Sequence, residues 1–208
     1  MSISTYTTLK SAVFNFSGRD DLSESFDTFL QLAEQAIYHN EDQPLRTQDL
    51  ITSTTLATVG GTNSVALPSD FLSALSVLIV SGGAKYELKN TSPAALQRSG
   101  DSGIPSAFAI TDTIVFDRIP DGAYDIELTY YAKPETLDET NNTNVILTKY
   151  PSCYLYGCLS AVNELSGEEN DAEAYYQKML RAIRGAIRSS RKARHAPGAV
   201  TVVRGPTP

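Results

Sequence analysis

Lys178, Arg181, Arg184, Arg188, Arg191 and Arg194 recur at three- and four-residue intervals near one end of a 208-residue chain. On a helix such intervals bring side chains onto one face, so six cations would stand in a row. Such a row can neutralise phosphates, with an affinity that falls steeply as salt rises. It can equally pair with carboxylates on a protein surface. A solvated helix face gives the same pattern with no partner. The formal net charge is −7, yet the eight Lys and Arg from Tyr176 onward meet no acid, leaving nine bases against 24 acids in the first 175 residues. An acidic body with a basic end marks an interaction segment, and a second copy of the chain would supply the acids. Aromatic residues interleaved with the bases, as single-strand nucleic-acid binders use, are missing.

Other chemistry is weaker. Gly100-Asp101-Ser102-Gly103 matches the tetrapeptide around a serine-protease nucleophile, but that chemistry needs a histidine base held by a buried acid. The two histidines are His39, at the polar end of an amphipathic segment, and His195, in the basic end. Neither has the required context, and the chain is read as a non-enzyme. Ser81-Gly82-Gly83-Ala84-Lys85-Tyr86 lacks the spacing of a phosphate-binding loop. No cofactor or metal is expected. Cys153 and Cys158 lie five apart on one predicted helix and point to different faces, so both are expected as small buried residues rather than a disulfide. No signal peptide or membrane span is supported, so assembly in a cytoplasm is expected.

The basic row needs a long helix, and Lys149–Arg194 supplies it. Pro151 can open a first helix, with Leu155, Leu159, Val162 and Leu165 on one face, and Ser166-Gly167 stops it. Glu168, Glu169 and Asp171 open a second, whose apolar stripe is Tyr176, Met179, Leu180, Ile183 and Ile187. At the other end of the chain, Tyr6–Phe16 (Leu9, Val13 and Phe16 inward) is ended by Gly18. A further helix is capped by Asp20 or Asp21 and carries Leu22, Phe26, Phe29, Leu30, Ala33 and Ile37 to about Asn40. Between lie strand candidates at 49–58, 64–67, 74–80, 84–88, 106–111, 113–118 and 123–132. Gly60-Gly61 and Gly82-Gly83 are plausible hairpin turns, and Pro120-Asp121-Gly122 is a further turn. Ser92-Pro93 would open a short helix, Ala94–Arg98. The fold class is α+β: helical segments 1–46 and 135–194 pair into one bundle, an antiparallel β-domain of residues 47–134 is inserted, and 195–208 form an extended tail. In that tail Pro197 disfavours helix, Val200, Val202 and Val203 are β-prone, and His195 and Arg204 flank them.

Leu67-Pro68-Ser69-Asp70-Phe71, Gly103-Ile104-Pro105, Leu128-Thr129-Tyr130-Tyr131-Ala132-Lys133-Pro134 and Tyr150-Pro151 with Tyr154-Leu155-Tyr156-Gly157 follow one another in this order. The set resembles head-to-tail adaptor proteins of tailed phages, the short-tailed type in particular, over roughly residues 20–185. The resemblance implies a structural virion protein, assembled in the host cytoplasm. Copies would form a ring, commonly of twelve, under the portal protein. The ring would extend the channel through which genomic DNA passes without sequence-specific binding, and would offer a platform for tail nozzle or fibre proteins, with no membrane involved. The tail residues His195, Pro197, Val200, Val202, Val203 and Arg204 would dock on the portal, and the basic row would face a neighbouring subunit or the channel. A tail-tube or head-completion protein, a nucleic-acid-binding module and a glycan-active virion protein are the competing readings.

Overall fold

A computed structural model describes residues 2–96 and 100–194. The chain divides into two compact units. One is built from the residues up to Asp49 and from Glu135 onward, the other from Leu50–Pro134. The fold mixes α-helix and largely antiparallel sheet.

In the helical unit, α1 (Tyr6–Ser17) starts at Thr5, whose hydroxyl accepts the Thr8 N–H in a capping box. It ends at Gly18, whose φ of 65° allows its N–H to reach the Phe14 carbonyl. Phe14 is buried and Phe16, expected inward, is 67% exposed. Phe26 takes Tyr6 and Phe14 edge-on at 5.3 and 5.8 Å, and those contacts fix which face of α1 turns inward. The α-helix expected from Asp20 begins six residues later, as α2 (Phe26–His39), after a 3-10 segment, Asp20–Ser25. Asp21 is engaged by the Arg19 guanidinium at 2.9 and 3.0 Å rather than capping a helix.

Asn144 caps α3 (Val145–Lys149), accepting the N–H groups of Ile146 and Leu147. Pro151 opens α4 (Pro151–Leu165), and Gly167 at φ 80° turns the chain into α5 (Glu169–Arg194). Helix α4 packs against α1, α2 and α5. Its buried face therefore runs through Cys153, Tyr154, Gly157, Cys158, Leu159, Ala161 and Val162. Leu165, expected on that face, is 62% exposed, and Leu155 is half-buried. Both cysteines are free and buried, and burial pushes the Cys153 thiol up to about 12.

A Cβ on Gly157 would stand 3.0 Å from Ala33 Cβ and 3.3 Å from Met179 Sδ, so three helices close on a position without a side chain. Gly157→Ala should gain about 1 kcal/mol of helix propensity and lose about 1–3 kcal/mol to overpacking. The expected result is a lowered urea midpoint that Ala33→Gly restores. A raised midpoint would mean that the helices separate freely.

The other unit holds two four-stranded sheets. Strands β1 (Ile51–Ala57), β3 (Phe71–Ser81), β4 (Ala84–Glu87) and β8 (Asp125–Ala132) lie in the order β1-β8-β3-β4. Strands β2 (Ser64–Ala66), β5 (Lys89–Asn90), β6 (Ala107–Ile110) and β7 (Thr113–Phe116) lie in the order β2-β7-β6-β5. Val77, Ile79, Ile126 and Leu128 of the first sheet share a core with Phe108, Ile114 and Phe116 of the second. Strand β8 alternates as its sequence predicts, with Ile126, Leu128 and Tyr130 buried.

Gly82-Gly83 turn β3 into β4 with φ of 59° and 80°, the two positive values a tight hairpin needs. Gly60-Gly61 make no hairpin, because β1 and β2 belong to different sheets. The Gly61 N–H bonds the Pro120 carbonyl at 2.9 Å instead. Strands β5 and β6 pair in parallel, an exception to the antiparallel expectation. Strands β6 and β7 are buried on both faces, since Leu96 covers Ala109 and Val115. The described part of the expected helix Ala94–Arg98 is a turn closed on Ser92; Arg98 lies outside the described residues.

Two of the ordered sequence strings meet in this unit. The Tyr130 hydroxyl donates to Asp70 at 2.9 Å, the Phe71 and Tyr130 rings stack at 5.7 Å, and the Lys133 N–H bonds the Asp70 carbonyl. Burial, with this carboxylate as acceptor, pushes the Tyr130 hydroxyl up to about 12.

Candidate functional site

Helix α5 is 26 residues long, about 39 Å at 1.5 Å per residue. Met179, Leu180, Ile183, Ala186 and Ile187 are buried. Ser190 is buried with them, and its hydroxyl accepts the Gln48 N–H at 2.8 Å. On the other side Lys178, Arg181, Arg184, Arg188 and Arg191 are all exposed. No carboxylate of the described residues lies within ion-pair distance of these five. The Arg181 and Arg184 Nε–H groups lie back on the carbonyls of Gln177 and Leu180, at 3.4 and 3.3 Å, leaving the rest of each guanidinium outward. Lys178 Nζ stands 4.3 Å from the centre of the Tyr175 ring, which itself stacks on Tyr156. The result is a cationic face about 20 Å long from Lys178 to Arg191, with no internal counter-charge. Arg194 ends α5. His195, Pro197, Val200, Val202, Val203 and Arg204 lie outside the described residues.

A second polar constellation was hidden in the sequence. Glu34 of α2 is 2% exposed and accepts from the Thr136 hydroxyl at 3.2 Å and the Tyr154 hydroxyl at 3.4 Å. Tyr154 is contacted in turn by the Asn144 amide at 2.9 Å and the Tyr38 hydroxyl at 3.2 Å. Burial, then the Glu34 charge, pushes the Tyr154 hydroxyl far above its ordinary range. Every member is held by another, and the arrangement fastens helices rather than offering a reactive group. Its signal was an acid inside the apolar stripe of α2 and an asparagine just before an apolar run.

Ser102 is exposed on a loop whose backbone bridges Ile119, and exposed His39 ends α2 in the other unit. Among the described residues no group of three or more His, Cys, Asp or Glu could hold a metal, and no helix is long and apolar enough to cross a membrane.

Two cavities of about 500 and 460 Å³ open beside the start of α5 and share Glu164 and Tyr176. Glu41 and Asp42 line one, and Glu169 and Glu173 the other.

The family model described as SU10 adaptor protein matches residues 4–202, nearly the whole chain. No curated protein matches it.

Proposed function

The chain belongs to the SU10 adaptor protein family, and from that membership we propose that this structural phage protein is a head-to-tail adaptor forming a ring under the portal. The ring extends the channel for genomic DNA and presents a platform for nozzle or fibre proteins. Residues 1–46 and 135–194 act as one helical body, 47–134 as an inserted β-domain, and 195–208 as a tail that docks on the portal. Twelve copies is the ring size the family resemblance implies. The match over residues 4–202 carries this reading. The unpaired cationic face supports it, since a surface of one sign about 20 Å long suits a partner of the other sign.

Removal of residues 195–208 tests the docking role. Ordering fourteen residues costs about 1–2 kcal/mol each in backbone entropy, so docking needs a large portal surface and the avidity of many tails. The truncated chain should melt at nearly the same temperature as the full chain. In co-sedimentation with portal rings it should be lost from the pellet. Normal co-sedimentation would leave the tail without a docking role.

A further inference from the structure

We propose that the groove lined by Glu41, Asp42, Glu164, Glu169, Glu173 and Tyr176 receives the Arg181–Arg191 face of α5 from a second copy of this chain. The proposal deepens the ring reading and rests on it only for its setting. No cation of the described residues lies within ion-pair distance of any of these five carboxylates. They line two cavities that share Glu164 and Tyr176 in their linings. The local field registers on Tyr176, whose hydroxyl is pushed up first by burial and then by Asp42, Glu173 and Glu41.

The donor surface has the matching sign and pitch. Glu169 to Tyr176 covers seven residues of helix, about 10 Å, and Arg181 to Arg188 covers the same seven. Guanidinium is the group that can bond a carboxylate in two places and also lie on a tyrosine ring. One copy cannot satisfy itself. Glu173 and Arg184 share one helix, eleven residues and so about 16 Å apart along its axis, beyond ion-pair reach. The cations therefore seek the groove of another copy. Because donor and acceptor are different stretches of the surface, the contact is heterologous, the type that closes into rings when the rotation permits.

Two cysteine variants of the full chain test this. Gln35→Cys places a thiol in the groove lining, and Gly185→Cys places one within the cationic face, where a Cβ meets open space. The native cysteines are buried, which keeps them out of the reaction. Under mild oxidation at low salt, the equimolar mixture should give at least tenfold more disulfide dimer than either variant alone. Adding Arg184→Glu and Arg188→Glu to the Gly185→Cys partner should remove the excess, and Glu164→Arg with Glu173→Arg in the other partner should restore it. A mixture that cross-links no better than its components overturns the proposal. Persistence of the mixed dimer in a chain that never forms a ring on the portal would overturn the ring reading and leave the contact standing.

Discussion

Replacing Arg184, Arg188 and Arg191 together by glutamate is expected to abolish the proposed ring assembly while the subunit stays folded. The three side chains are exposed, and the buried seam of Leu180, Ile183 and Ile187 is untouched. Surface substitutions away from caps and cores typically change stability by no more than about 0.5 kcal/mol each. Acids in the last turns of α5 oppose its dipole, which adds a few tenths to about 1 kcal/mol. A total loss of about 1–2 kcal/mol leaves a domain of ordinary stability folded. Assembly suffers more. The net charge falls from −7 to −13, and each proposed contact of a cation with a carboxylate would oppose two carboxylates, at several kcal/mol per interface. Sedimentation velocity with portal rings, beside a thermal melt of the free chain, separates the two effects. Unaltered rings would show that the cationic face is only solvated. Binding of free DNA by the wild-type chain at low salt, lost in the triple variant while rings persist, would favour a nucleic-acid role.

The cationic face was legible because helical spacing alone places Lys178 to Arg191 on one side. The proposed acceptor groove was not, since Asp42 is far in sequence from Glu164 and Glu173 and comes beside them only through the packing of α2 on α4. The same contrast runs through the fold. Gly18 and Gly82-Gly83 announce a helix stop and a hairpin from local backbone needs alone. Gly60-Gly61 have equally good turn chemistry, but a turn between two sheets and a turn within one have the same local signature. Leu165 follows the apolar spacing of α4 and is nevertheless exposed, because the residues that face the neighbouring helices include Gly157, Ala161 and two cysteines, which a hydrophobic pattern underweights.

Tyr154→Ala is expected to be the most destabilising single substitution in the helical unit. The side chain is fully buried, and its hydroxyl joins Asn144, Tyr38 and Glu34. Asn144 spends its carbonyl oxygen on the Ile146 and Leu147 N–H groups, so its amide nitrogen is left to donate to Tyr154. Tyr154 then gives its own proton to Glu34. Truncation to alanine opens a cavity and takes one hydrogen-bond partner each from Asn144, Tyr38 and Glu34. The cavity alone costs about 3–5 kcal/mol by analogy with other large aromatic deletions. Unpaired buried groups add about 1–3 kcal/mol each. Together these approach the whole stability of a typical domain, about 5–15 kcal/mol. Tyr154→Phe separates the two contributions: it keeps the volume and removes only the hydroxyl, so it should cost about 1–3 kcal/mol. Urea unfolding of both variants followed by far-ultraviolet circular dichroism, which is dominated by the helices, reads the difference. A phenylalanine variant as stable as wild type would show that the hydroxyl network contributes nothing. An alanine variant no worse than the phenylalanine one would show that α2 and α4 collapse into the space, and that Gly157 rather than Tyr154 sets their separation.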